Sequence, residues 1–299
     1  MTETKQWDVL SLLKTTTSFF SQKGIDEPKL TTELLLAAVL NLTRMDLFLS
    51  FDRPISQSEL DLFRSYCKRR LQEEPVQYIL GTQNFLGFDF EVNSSVLIPR
   101  PETELLVEEV IENLKTEGAQ NSPIKILDIG TGSGVIPISM IKKLESVSAV
   151  AIDISKAALF VATRNAEKHK VESRISFIQL DVLDESFLST LMGKEESQFS
   201  AVVSNPPYIP VKEKNMLADH VIKFEPHQAL FSETGFEFYE KISKDATQLL
   251  KTGGKLFFEL HSDGASTVRK IVEAEGFTNV KIKKDYSGFQ RILIAEKRF

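Results

Sequence analysis

Two short segments combine residue types and spacings that could do chemistry. The first is Ser204-Asn205-Pro206-Pro207-Tyr208-Ile209-Pro210, which follows the apolar run Ala201-Val202-Val203. Asn205 offers a carbonyl oxygen and an NH2 group, and the Pro206 carbonyl is a further acceptor. Two acceptors can hold both hydrogens of a substrate NH2 group and fix its nitrogen. Consecutive prolines fix φ and stiffen the segment, which matters because the Asn205 amide has to keep one orientation. Tyr208 can stack on a planar amide or base. An amide or exocyclic amine is a poor nucleophile, since its lone pair is delocalised. Alignment at near-attack distance from an electrophilic methyl can supply much of the missing rate. Taken alone, the segment also reads as a proline turn with a capping asparagine.

The second is Leu127-Asp128-Ile129-Gly130-Thr131-Gly132-Ser133-Gly134, between an apolar strand pattern and a helical one. Glycines remove Cβ atoms where a backbone turns tightly and approaches a ligand. The spacing is G-x-G-x-G, not the G-x-G-x-x-G of dinucleotide sites. Asp153, 19 residues after Gly134 and near the end of the next strand pattern, can accept from both hydroxyls of a ribose. Asp181 and Val182 close the third strand pattern, where a polar and an apolar group can bracket an adenine. The loop has no basic side chain and no Lys-Ser/Thr pair to meet phosphates. A phosphate-free nucleoside is expected, and S-adenosylmethionine fits better than NAD or ATP.

No metal is expected. The single cysteine, Cys67, excludes an internal disulfide and a cysteine-based zinc cluster. His169, His220, His227 and His261 have no close ligand spacing and read as non-catalytic.

The elements that must position these groups follow from periodicity. Beyond Glu102, strand patterns at 125–129, 149–154, 175–181, 201–204, 255–260, 280–284 and 291–296 alternate with helical ones. The helical patterns lie at 102–115, 135–144, 156–169, 185–192, 236–250 and 265–275. Repeated strand–helix units imply an α/β fold with a mostly parallel sheet covered on both faces. The last two strands are too closely joined for a crossover and should be antiparallel. This layout resembles that of seven-stranded, Rossmann-like class I methyltransferases. Residues 85–92 alternate with period two, turn at Asn93-Ser94-Ser95 and continue into Val96-Leu97-Ile98, which predicts a β-hairpin. The first 80 or so residues carry helical spacing, broken at 24–28 and 52–54 by Gly, Pro and acidic residues. The chain therefore divides into a helical docking domain (1–82), a hairpin linker (83–101) and a catalytic domain (102–299).

At 299 residues, 42% hydrophobic and 26% charged, the chain can build a real core. Its net charge of −6 disfavours direct nucleic-acid binding, which needs a basic face. Local basic patches can sit inside an acidic total, and Lys68-Arg69-Arg70 is one candidate, against the plainer reading of a solvated helix face. The longest apolar run, 34–40, is too short to span a membrane. Residues 1–5 lack the order of a secretory signal. A cytoplasmic protein is expected.

The joined motifs resemble one family across the whole chain. They are Glu74-Pro75-Val76-Gln77-Tyr78-Ile79-Leu80-Gly81, Phe85-Leu86-Gly87, Ile98-Pro99-Arg100-Pro101-Glu102-Thr103-Glu104, the glycine loop, Asn205-Pro206-Pro207-Tyr208, Phe224-Glu225-Pro226 and Ala229-Leu230. Together they resemble the bacterial peptide-chain release factor glutamine methyltransferases (the PrmC/HemK family). The resemblance implies methyl transfer from S-adenosylmethionine to the side-chain amide nitrogen (N5) of the glutamine in the Gly-Gly-Gln loop of class I release factors, modulating translation termination. It implies that Gly130, Thr131, Gly132, Ser133, Gly134, Asp153, Asp181, Val182 and Asn205 contact the cofactor. Asn205, Pro206, Pro207 and Tyr208 would hold the glutamine, with Asn205, Pro206 and Tyr208 catalytic and Phe85 packing against it. Arg100 and Glu104 would organise their loop, Arg100 by pairing with a carboxylate. A monomer is the expected form. Val182 stands where an aromatic is often found, and the 183–198 segment is longer than expected. Two other readings stay open: an adenine-N6 methyltransferase acting on DNA or RNA, and a non-catalytic cofactor-binding protein.

Overall fold

Capping chemistry sets the helices of the first 80 residues. In the computed structural model, Asp8 accepts from the Ser11 amide at 2.7 Å to start helix Val9–Gln22, and Ser56 and Glu59 form the same kind of box for Gln57–Leu71. Pro28 opens helix Pro28–Leu40, and Thr43 with Asp46 caps Arg44–Phe48. A fifth short helix is Val76–Leu80. Their apolar faces meet in a core around Leu12, Phe20, Leu35, Leu36, Leu47 and Phe63. Cys67 is packed against that core, and burial pushes its thiol up to about 12. The structure describes residues 6–116, 123–194, 198–261 and 263–298. Residues 1–5, and 195–197 of the long segment after Val182, lie outside the described residues. By its contacts the chain forms two compact units, Met1–Thr82 and Gln83–Phe299.

The basic triplet is largely structural. Arg69 holds Glu74 with two bonds, at 2.6 and 2.8 Å, and donates to the carbonyls of Tyr78 and Ile79. Arg70 is half-buried and reaches the Glu74 carbonyl at 3.3 Å. Arg69 thus ties helix 57–71 to helix 76–80, and Arg70 ties it to the turn between them.

In the second unit, seven apolar runs pair into one sheet: β1 (Ile124–Ile129), β2 (Val147–Asp153), β3 (Ile175–Gln179), β4 (Phe199–Ser204), β5 (Leu250–Glu259), β6 (Thr278–Lys284) and β7 (Gln290–Glu296). The order is β6-β7-β5-β4-β1-β2-β3. β1 to β5 run parallel, while β7 lies between β5 and β6 and is antiparallel to both. Side chains alternate between two buried layers. Ile126, Ala151, Val203 and Phe257 face Leu106, Val110, Ile138 and Met140 of helices Pro101–Thr116 and Val135–Lys143. Leu127, Val150, Val202 and Phe258 face Tyr239, Ile242, Val268 and Val272 of helices Glu237–Leu249 and Ala265–Ala274. No helix among the described residues is long and apolar enough to cross a membrane.

The hairpin differs from the expected one. Its strands are Thr82–Phe85 and Phe88–Glu91, joined through Leu86 (φ 50°) and Gly87 (φ 84°). Two left-handed central residues match the twist of a tight hairpin. Val96, Leu97 and Ile98 form no strand, because the Ile98 amide donates to the Glu225 carboxylate at 3.2 Å and not to a ladder. The structure also ends β3 at Gln179, leaving Asp181 in the loop beyond it. Between Ile209 and Ser232 the chain adds elements that periodicity did not reveal: a short parallel pair (Ile209–Pro210 with Phe231–Ser232), a 3-10 turn Val211–Met216, and helices Asp219–Phe224 and His227–Leu230.

Candidate active site

The strand order reverses at β1, which has β2 on one side and β4 on the other. In open α/β sheets such a reversal leaves a crevice at the carboxyl ends of the strands. Here it holds a cavity of about 300 Å³. Gly130, Thr131, Gly132 and Ser133 line it after β1. Asp153 lines it at the end of β2, with Asp181 and Val182 beyond β3. Asn205, Pro206 and Pro207 line it after β4.

Three expected residues do not line the cavity. Gly134 has φ 81°, and a Cβ there would sit 3.0 Å from Ile138 Cδ1 and 3.2 Å from Ala162 Cβ, so it seats the glycine loop on its helices. Phe85 is 1% exposed and packs edge-on against Phe90 in the core, at 6.1 Å between ring centres. The hydrophobic residue of the hairpin is core, because its strand faces helix 101–116. Tyr208 is half-buried beside His261, with its hydroxyl turned to Glu259.

The loop's own chemistry is anionic. Asp153 accepts from the Gly132 amide at 2.9 Å and the Ser155 amide at 2.8 Å, while burial raises its pKa. Asp128 is wholly buried below the loop, and neither of its carboxylate oxygens has a hydrogen-bond partner. Burial chiefly pushes it up to about 7, with the nearby Thr131 hydroxyl opposing and the Asp153 charge adding. Among the lining residues the one cation is Arg100, and it is committed to Glu225 at 2.5 Å. An orphaned buried acid, two further carboxylates, apolar walls and no free cation suit a phosphate-free nucleoside carrying positive charge. S-adenosylmethionine fits that description. Among the described residues no group of three or more His, Cys, Asp or Glu could hold a metal ion.

A buried polar chain stands behind Asn205. Its Nδ2 donates to Thr103 Oγ1 at 3.2 Å, and the Thr103 hydroxyl donates to Glu259 Oε2 at 2.7 Å. Tyr208 donates to Glu259 Oε1 at 3.4 Å, and Tyr239 to the Glu259 carbonyl at 2.8 Å. Burial pushes the Glu259 carboxyl up to about 7 and, with the Glu259 charge, raises the Tyr208 hydroxyl. Both ends of the Asn-Pro-Pro-Tyr segment thus lean on one carboxylate.

Sequence reasoning missed Thr103, Glu259, Asp128 and Asn165 as site supports. The available signal was a charge inside an apolar central strand, since lone acids are rarely fully buried. Asn165 is fully buried, accepts from the Glu91 amide at 2.7 Å, and donates to the carbonyls of Glu91 and Ser133. It binds the hairpin to the glycine loop. Glu104 accepts from the Leu86 amide at 2.7 Å and anchors the hairpin turn. The expected pairing of Arg100 with a carboxylate is the Glu225 contact.

Residues 11–81 match the family model of the PrmC N-terminal domain, and residues 102–232 that of the methyltransferase small domain. A release factor glutamine methyltransferase of Chlorobaculum tepidum is 47% identical over 293 residues, covering 97% of this chain and 98% of its own length. One from Geobacter sulfurreducens is 37% identical over 295 residues, covering 98% of each. Among solved structures, a methyltransferase from Pyrococcus furiosus aligns with a TM-score of 0.50 at 21% identity, covering 72% of this chain and 91% of that one. The last likeness is one of fold.

Proposed function

Because the chain belongs to the release factor glutamine methyltransferase family, we propose that it methylates the side-chain amide nitrogen (N5) of the glutamine in the Gly-Gly-Gln loop of class I peptide chain release factors, so modulating translation termination. The observation that carries this reading is the commitment of Asn205 Nδ2 to Thr103, on the wall of a cavity whose other side is the glycine loop. With its NH2 tied back, Asn205 presents a carbonyl oxygen to the cavity, the correct partner for a substrate amide NH2.

The roles follow from this arrangement. Gly130, Thr131, Gly132 and Ser133 bring backbone close to the cofactor, and each Asp153 oxygen keeps a lone pair for a ribose hydroxyl. Asp181 and Val182 flank the adenine. Bound S-adenosylmethionine supplies an electrophilic methyl on a sulfonium sulfur. Asn205 Oδ1 and the Pro206 carbonyl hold the two hydrogens of the glutamine amide, and Pro207 and the Tyr208 ring wall it in. Held so, the nitrogen would form its bond to the methyl as the S–CH3 bond breaks, with S-adenosylhomocysteine leaving as the neutral thioether and the amide giving one proton to water; orientation supplies the rate. The protein works as a cytoplasmic monomer.

An adenine acceptor would need a basic surface, and Arg69 and Arg70 are already engaged within their own unit. The test is mass spectrometry of a purified release factor after incubation with the protein and S-adenosylmethionine. A single added methyl on the Gly-Gly-Gln glutamine is expected. An unmodified factor beside methylated adenine in DNA or RNA would overturn the reading.

A further inference from the structure

We infer that Glu259 is a positioning residue for methyl transfer: its carboxylate orders the hydrogens of Thr103 and so holds the Asn205 amide oxygen toward the acceptor. The inference rests on the reading above and adds a residue and a pH control to it. Three atoms carry it. Thr103 Oγ1 lies 2.7 Å from Glu259 Oε2 and 3.2 Å from Asn205 Nδ2, and a hydroxyl has only one hydrogen to give.

An ionised Glu259 can only accept, so the Thr103 hydrogen must point at it. The remaining lone pairs of Thr103 then accept from Asn205, which fixes the NH2 inward and the carbonyl outward. A Glu259 protonated on Oε2, the oxygen that faces Thr103, reverses the chain. It donates to Thr103, the Thr103 hydrogen turns to Asn205, and the amide rotates to meet it with oxygen. The Asn205 NH2 then faces a substrate NH2, donor against donor.

The environment places this reversal in an accessible range. Burial raises Glu259 to about 7, and Glu102 of the same helix as Thr103 adds to the rise. Arg291 on β7 opposes it, as do the hydroxyls of Thr103 and Tyr208; Tyr239 donates to the main-chain carbonyl, and His261 lies beside Tyr208. Neither the acceptor amide nor the sulfonium titrates near neutrality. Asp128 does, but Glu259→Gln leaves it in place, so a limb due to Asp128 would survive that substitution.

Two measurements on the full-length protein test the inference. The first is kcat against pH with saturating S-adenosylmethionine and release factor. In the wild type it should fall about tenfold for each pH unit below the Glu259 midpoint. Glu259→Gln keeps an acceptor oxygen for Thr103 without titrating. Its kcat should be a few-fold lower but flat with pH. Thr103→Val should lose about 100-fold in kcat at every pH with KM little changed, and Thr103→Ser should recover most of it. Cofactor affinity, measured by calorimetry, reports that each variant is folded. The second follows the Asn205 side-chain amide by nitrogen-15 NMR, with no acceptor present. Its signal should shift with a midpoint near that of Glu259 in the wild type and stay still in Glu259→Gln. An acid limb that survives Glu259→Gln, or an Asn205 signal indifferent to pH in the wild type, overturns the inference. A release factor left unmethylated while the Asn205 signal titrates overturns the acceptor reading and leaves the positioning role standing.

Discussion

Arg100 and Glu225, 125 positions apart, form an ion pair at 2.5 Å that closes the loop lining one side of the cofactor cavity. Glu225 also takes the Ile98 amide, so one carboxylate holds two points of the same loop. Removing Arg100 leaves a carboxylate with 1% side-chain exposure and half its partners. Arg100→Ala should destabilise the protein by about 2 kcal/mol, below the range for a wholly buried pair because Arg100 is a third exposed. Cofactor affinity should fall with it. Denaturant unfolding and calorimetry check both.

Asn205→Ala should separate binding from chemistry. It removes the acceptor proposed to aim the substrate nitrogen, and kcat should fall by about 1,000-fold. Affinity for S-adenosylmethionine should change by no more than about threefold, because the glycine loop and Asp153 remain. Single-turnover methylation and calorimetry read the two effects.

Two glycines of one loop should fail in different ways. Gly134→Ala combines a left-handed backbone with contacts at 3.0 and 3.2 Å. It should cost stability, by about 2 kcal/mol or more. Gly132→Ala meets open space at φ 54°. Its strain is about 1 kcal/mol, so the main loss should be cofactor affinity, as the methyl enters the close-approach zone. Thermal unfolding with and without cofactor separates them.

Asp128 gives the ligand-free protein a pH-dependent weakness. Its folded pKa is raised to about 7 from an ordinary 3.8. Folding therefore favours the protonated form, and the stability it contributes is full below the ordinary value and lost as pH rises through about 7. Asp128→Asn should raise the melting temperature clearly at about pH 8 and little at about pH 5, while weakening a cationic cofactor. Thermal scans at both pH values check the first effect and calorimetry the second.

Much of this was legible in the sequence because it depends on local pattern. Apolar runs such as Ala201-Val202-Val203, repeated between helical patterns, read as buried strands, and a glycine run between strand and helix is a loop. The hairpin was displaced because Leu86, an apolar residue within an alternating run, takes a left-handed turn conformation that nothing in its side chain announces. The resemblance implied that Phe85 packs against the glutamine, and a motif match does not show whether an aromatic faces a ligand or, as here, a core. The Asn205–Thr103–Glu259 chain was invisible for another reason: its members lie 102 and 156 positions apart. They meet only through the order in which the sheet is laid down.

That order bears on how the protein is made. β7 fills the gap between β5 and β6, so β5 keeps an open edge and β6 has no partner until residues 290–296 have left the ribosome. An apolar strand with a bare edge is a template for pairing with another chain. The nascent protein meets that hazard late, from the emergence of β5 (250–259) onward, and the insertion of one short strand ends it.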